Sequence, residues 1–289
     1  MKMPPVFWGL IASPIWGGMG IMMMAFLAAA GLDSASLMEG LGVLAATALI
    51  LRLDVVLRPN GMPGVGLRRP RLEWLGAALL AGIGVAILGS EIDNIVRDRF
   101  PLVITPLTAE QIAATSHIVA GPLWIGALSR GLIVPFARVF IATGVTLRNL
   151  VAGMPWRVAL MVSAFAFAYP THEHPAYWLP WVLAPLIGGW AYLRTHNIWL
   201  AVAVAFPQHG VAWFEFLGIA PNIAGFDTPV GEVAVFQPLW FDALGLVLLM
   251  VGVGLLIRGF EVAGAAVPLP KPPRPSTGAE PPDAEDGED

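Results

Sequence analysis

The sequence predicts an all-α, polytopic membrane protein with about eight transmembrane helices. Three observations predict this class: of the 289 residues, 57% are hydrophobic and only 12% are charged, and the mean hydropathy is +0.73. Soluble domains carry about 25% charged residues. Because so little polar surface cannot cover a soluble globule, the composition indicates that lipid surrounds much of the chain.

The predicted spans follow from runs of apolar residues, since a helix needs about 20 of them to cross a bilayer. The first, third and last runs are uninterrupted, and the first is too long for a signal peptide. Glu39, Arg52 and Asp54 weaken the second run, while Arg130 and Arg157 interrupt the fourth and fifth. The predicted spans are about 6–30, 36–57, 74–91, 115–134, 150–170, 177–193, 197–217 and 238–257.

The positive charges predict the orientation, because cytoplasmic loops of membrane proteins are enriched in lysine and arginine. With the N-terminus in the cytoplasm, only Arg97 and Arg99 lie outside and two arginines lie within spans. All other positive residues, including Arg138 and Arg148, then lie on the cytoplasmic side. We therefore expect a multi-pass protein of the inner (plasma) membrane with both termini cytoplasmic.

The chain divides into a predicted membrane domain, residues 1–261, and a tail, residues 262–289. The tail is rich in proline and then acidic, so it cannot bury enough apolar surface to fold, and we expect a disordered cytoplasmic segment. The absence of cysteine excludes disulfides, thiolate metal sites and a cysteine nucleophile. We expect no cofactor, no metal and no nucleic-acid partner; membrane lipids are the expected surroundings.

Ionisable residues within predicted spans are the candidate site residues, because burying them in lipid is costly. Arg130, in "GPLWIGALSRGLIVPFAR", has no acid beside it in sequence; it marks a polar site or snorkels to the interface. His209 lies beside Pro207 and Gly210, where a broken helix could line a cavity, or it is a buried structural histidine. His172 belongs to "YPTHEHP", which could chelate a metal or form an exposed turn.

Three segments between residues 115 and 215 keep the order and spacing of motifs found together in one protease family. Pro122, Arg130-Gly131 and Pro135 resemble Pro-x-x-Glu-Glu-x-x-x-Arg-Gly-x-x-x-Pro. "SAFAFAYPTH" resembles Ser-x-x-x-Phe-x-x-x-His, and "GGWAYLRTHNIWLAVAVAFPQHG" resembles Gly-x-x-x-Tyr-x-Arg-Thr-Gly-x-x-Trp leading into His-x-x-x-Asn. These segments are similar to those of the CAAX prenyl protease and bacteriocin-processing (CPBP, or Abi) family. The resemblance implies a CAAX-protease-like helical bundle.

The catalytic positions of that family pattern diverge in this chain. The two glutamates thought to activate water in the family fall on Ile125 and Gly126, neither of which can accept a proton. A family histidine falls one place before His172, and the family asparagine falls on His209, so only Arg130 matches by identity. The resemblance therefore implies a degenerate site whose remaining residues are Arg130, His172 and His209.

Three functions follow as hypotheses. The first is a catalytically degenerate protein that binds, matures or presents a membrane protein or a prenylated or otherwise lipidated protein. The second is an active intramembrane endopeptidase with relocated catalytic groups, using His172, Glu173 or His209. The third is a small-solute transporter, because carriers place broken helices around polar residues near the membrane midplane, although the sequence contains no inverted repeat.

Overall fold

The computed structural model is all-helical over the residues that it describes, namely 3–58, 62–100, 122–168, 175–210, 213, 217–218, 222–226 and 234–262. Within these ranges there is no β-strand, which confirms the all-α prediction. Numbered along them, the helices are α1 (Pro5–Ala29), α2 (Ala35–Leu57), α3 (Leu72–Arg99), α4 (Leu123–Leu150), α5 (Trp156–Ala168), α6 (Leu179–Thr195), α7 (Ile198–His209) and α8 (Leu239–Val262).

Five of these helices, α1, α2, α3, α4 and α8, are long and apolar enough to cross a membrane. This supports a membrane protein. Helices α5 and α7 are apolar but shorter, and the eight-span count depends on them and on α6, so that count stays a prediction. The predicted tail from residue 263 onward lies outside the described residues.

Local sequence signals set where several helices begin. The Ser34 hydroxyl accepts a hydrogen bond from the Leu37 N–H and caps α2. The Asn197 side chain accepts from the Trp199 N–H and caps α7. Serine and asparagine are favoured at this position because they satisfy N–H groups that have no partner within the helix. Helix α1 begins at Pro5, a residue whose fixed φ suits the first helical position.

Helix α4 differs from the sequence prediction. We expected a span over 115–134 and a cytoplasmic loop before the next span, but a single helix of 28 residues runs from Leu123 to Leu150. Arg138 and Arg148 therefore lie within a helix, not in a loop. Two parts of α4, Ser129–Ile133 and Phe140–Leu147, are π-helical, a geometry often found at functional sites.

Contacts between helices define the two ends of the bundle. At one end Trp8, in the second turn of α1, contacts Asp54 near the end of α2, and Trp74 at the start of α3 contacts Phe260 near the end of α8. We call this the arginine-rich end, because it carries Arg52, Arg58, Arg68, Arg69, Arg71, Arg157, Arg194 and Arg258. The other is the far end. The charge asymmetry matches the predicted orientation, but the side facing the cytoplasm stays a prediction.

Glycines allow α3 and α8 to pack with their backbones close together. A methyl group on Gly84 would lie 2.5 Å from the Gly245 carbonyl oxygen and 2.5 Å from the Leu249 nitrogen. Within membranes, small residues at helix interfaces permit such close approach and the dispersion contacts that come with it. Glycine is therefore required at position 84 by its neighbours, whereas Gly76 of the same helix has no heavy atom within 4 Å of the added methyl.

We expect Gly84→Ala to lower the free energy of unfolding by about 1–3 kcal/mol, because the methyl group would push the α8 backbone away. The matched variant Gly76→Ala should be neutral or stabilise α3 by up to about 1 kcal/mol, since alanine is the better helix former. Denaturant-induced unfolding in detergent micelles measures both. Equal effects of the two variants would contradict the close packing of α3 on α8.

Candidate functional site

Arg130, the position that matches the quoted family pattern by identity, lies in the third turn of α4 and has an acidic partner. Its Nε atom is 3.2 Å from Oε2 of Glu39, in the second turn of α2. The side chains are 66% and 30% exposed, respectively, so this is a partly solvated pair. No acid adjoins Arg130 in sequence because this partner lies 91 residues away.

The position of Arg130 also differs from the sequence prediction, which placed it nearer the cytoplasmic end of its span. Helices α2 and α4 run parallel, with Gly40 against the Ser129 side chain near their starts and Asp54 against Arg148 near their ends. Arg130 therefore lies toward the far end. The shift follows from the true start of α4 at Leu123, eight residues after the predicted start of the span.

His209, the last residue of α7, does not join Arg130. Its ring is tilted against Trp181, with centroids 5.0 Å apart, and its Nε2 atom is buried without a hydrogen-bond partner in the described part of the chain. Among the described residues no hydrogen bond or ion pair connects it to Arg130. The other candidate, His172, lies outside the described residues together with Glu173. The described ranges contain no group of three or more potential metal-ligating residues.

The positions that correspond to the family's two glutamates lie in the first turn of α4. Ile125 and Gly126 are half-buried there. A methyl group added to Gly126 would lie 3.6 Å from the Ser36 hydroxyl of α2. The side chains at 125 and 126 offer no proton acceptor, so this turn of α4 supplies no general base.

A buried ion pair that the sequence analysis missed joins α2 to α4 at the arginine-rich end. Nη2 of Arg148 lies 2.5 and 2.6 Å from the two carboxylate oxygens of Asp54, and both side chains are 2% exposed. Trp8 of α1 and Asn149 each donate a further hydrogen bond of 3.2 Å to the same carboxylate. One signal was available: an unmatched acid and an unmatched arginine in two apolar segments, which indicates mutual pairing.

An apolar cavity of about 420 Å³ lies between α3 and the end of α7. Its volume is within the range of about 300–1,000 Å³ typical of small-molecule sites. Leu79 and Ile83 are 36% and 43% exposed on the side of the bundle, so the cavity reaches the lateral surface of α3, a helix long and apolar enough to cross a membrane. Its lining is almost entirely apolar and includes Leu79, Ile83, Ala86, Phe206, Pro207 and Trp213.

Comparison of the chain with protein-family models, curated proteins and solved structures gives no match. The resemblance to the CPBP family therefore stays a prediction that depends on the three segments quoted above.

We expect Asp54→Asn to lower the free energy of unfolding by about 3–5 kcal/mol, because it leaves the Arg148 guanidinium buried without a counter-ion. Glu39→Gln breaks the partly solvated pair with Arg130 and should cost less than about 1 kcal/mol. Tryptophan fluorescence during denaturant titration in micelles measures both losses.

The double variant Asp54→Leu/Arg148→Met tests the cause of the Asp54 effect. Replacing both charges by apolar side chains removes the desolvation cost along with the attraction, so stability should return close to the starting value. A double variant as unstable as Asp54→Asn would show that the loss came from packing or from the Trp8 and Asn149 hydrogen bonds.

Proposed function

We propose that this chain is a catalytically degenerate, CPBP-like membrane protein that binds a lipid-modified or membrane-embedded protein without hydrolysing it. The proposal includes an eight-pass, CAAX-protease-like bundle in the inner membrane with both termini cytoplasmic. The directions of the helices support that topology, because α1 begins and α8 ends at the arginine-rich end.

The observation that carries the proposal is the laterally open apolar cavity between α3 and α7. An alkyl or isoprenoid chain in the bilayer could enter it past Leu79 and Ile83 without crossing water. Burial of apolar surface against Phe206, Pro207 and Trp213 would then hold the chain, while the attached polypeptide remained at the membrane surface. Specificity would come from the shape of the cavity, since its lining has almost no polar atoms that could recognise a headgroup.

The residues at positions 125 and 126 of α4 support binding over hydrolysis. Peptide hydrolysis needs a base to activate water, and positions 125 and 126 hold isoleucine and glycine. The Arg130 guanidinium is engaged by Glu39. The ring of His209 contacts Trp181, and no described carboxylate hydrogen-bonds to it. An active endopeptidase would need groups outside the described residues, such as His172 or Glu173, and a transporter would need a polar path across the bundle.

We expect the purified protein to bind a fluorescent peptide that carries one isoprenoid chain, and to bind the same peptide without the chain far more weakly. Ala86→Phe places a phenyl ring in the cavity and should weaken binding more than tenfold, since excluding two methylene groups removes about 1.6 kcal/mol. Fluorescence anisotropy measures the affinities, and mass spectrometry measures whether the peptide stays intact.

The matched control is Ala25→Phe, which adds the same ring at an exposed position on the lateral surface of α1. It should leave the affinity unchanged. Equal binding of the unmodified peptide, or equal losses in the two variants, would contradict the proposed site. If the protein cleaves the peptide, and His172→Ala or His209→Ala abolishes that cleavage, the result would support the endopeptidase instead.

A further inference from the structure

The segment that immediately precedes α3 is fixed against the turn between α6 and α7. The Gly66 carbonyl accepts a hydrogen bond from the Ile198 N–H at 3.1 Å, and the Arg68 carbonyl accepts one from Asn197 Nδ2 at 2.8 Å. Gly66 has a φ of +82°, and a side chain there would collide with the His196 carbonyl. The segment is therefore held in one backbone conformation.

This attachment brings four arginines together at the arginine-rich end. Arg68, Arg69 and Arg71 are exposed on the segment, and Arg194 lies in the last turn of α6, three residues before Asn197. We call these four residues the arginine patch. Glu73, at the start of α3 beside the patch, pairs with Arg71 at 3.5 Å, and both of these side chains are more than half exposed. The patch therefore carries a net positive charge that its own contacts do not neutralise.

Burial lowers the pKa of His196, which lies between Arg194 and Asn197. Burial therefore favours the neutral imidazole, and the positive charge of the patch is that of its four guanidinium groups.

An aromatic cluster borders the patch on the side toward the membrane interior. The Phe260 ring of α8 lies 5.2 Å from Trp74 and 5.8 Å from Trp190, measured between centroids. The Arg71 guanidinium lies 5.2 Å from the Trp74 ring. Arg194 follows Trp190 by four residues, so both project from the same face of α6. Trp74 and Phe260 are buried, so this cluster anchors the patch to the core. The accessible apolar surface beside the arginines comes from Leu67 and Leu72, which are 62% and 83% exposed.

We infer that the arginine patch binds the headgroup of an anionic phospholipid, with an acyl chain of that lipid against the exposed side chains of Leu67 and Leu72. The guanidinium fork matches the geometry of phosphate oxygens and donates parallel hydrogen bonds to them. The helix ends lie where headgroups lie, and basic pockets between membrane helices suit anionic headgroups. This inference does not depend on the proposed function, because the patch and the cavity use different residues.

The chain's own acidic C-terminal residues are the rival occupant of the patch. Residues 280–289 include six acids, and α8 ends at Val262, at the same end of the bundle as the patch. A lipid is favoured because Leu67 and Leu72 expose apolar surface beside the arginines, against which an acyl chain can pack. The acidic residues 280–289 contain no large apolar side chain that could do the same.

The test compares binding of phosphatidylglycerol and phosphatidylcholine to the delipidated full chain by native mass spectrometry. Arg69→Ala/Arg71→Ala should weaken phosphatidylglycerol binding about 30-fold, at about 1 kcal/mol for each arginine, and leave phosphatidylcholine unchanged. The matched control Arg52→Ala/Arg157→Ala removes two exposed arginines from the same end, on α2 and α5, which carry no residue of the patch, and should retain the preference. Circular dichroism checks that every variant keeps its helix content.

Two further full-length variants separate the possible outcomes. Arg69→Lys/Arg71→Lys keeps the charge but loses the fork, and should show an intermediate loss. Replacing the six acids of residues 280–289 by amides should preserve the lipid preference. Equal losses of phosphatidylglycerol affinity in the patch and control variants would overturn the inference, because they would show that the overall charge of this end determines binding. If Arg69→Ala/Arg71→Ala no longer weakens phosphatidylglycerol binding once the tail acids are neutralised, the inference is overturned and the tail is the occupant of the patch.

Discussion

The Asp54–Arg148 ion pair is the interaction on which the arrangement of α1, α2 and α4 depends. Both side chains are almost completely buried, so each would be costly without the other. The carboxylate also accepts hydrogen bonds from Trp8 and Asn149, which brings α1 into the same contact. A shift of α2 or α4 along the other would leave a buried charge unpaired, and a shift of α1 would remove the Trp8 hydrogen bond to that charge, so these penalties fix the register of the three helices.

A second pair, Glu39–Arg130, joins the same parallel helices near the far end. The partners are 91 residues apart in this pair and 94 in the buried one, so α4 uses three more residues than α2 between the two contacts. A π-turn contains more residues than an α-turn. The π-helical parts of α4, Ser129–Ile133 and Phe140–Leu147, therefore accommodate the excess. The π geometry of α4 is thus consistent with both charge contacts to α2 being made along one helix.

The sequence predicted the positions of helices where the length of an apolar run determines where the helix begins and ends. The predicted spans 6–30, 36–57 and 238–257 agree closely with α1, α2 and α8 in position. The prediction failed for α4 because a charge inside an apolar segment resembles a loop signal when its partner lies far away in sequence. Glu39 was missed as the partner of Arg130 for the same reason. The cavity could not be predicted, since its lining comes from α3, α7 and later residues whose proximity is set by glycine-mediated packing.

The chemistry available to the bundle follows from what its charged groups already do. A hydrolase must keep a carboxylate or imidazole free to move a proton to and from water. Here Asp54 is engaged by Arg148, and Glu39 by Arg130, whereas the cavity beside α7 has an apolar lining that water does not favour. An apolar chain gains free energy from such a lining through burial alone. Under the proposed function, the engagement of Asp54 and Glu39 does not affect the cavity, and isoleucine and glycine at positions 125 and 126 lie outside its lining.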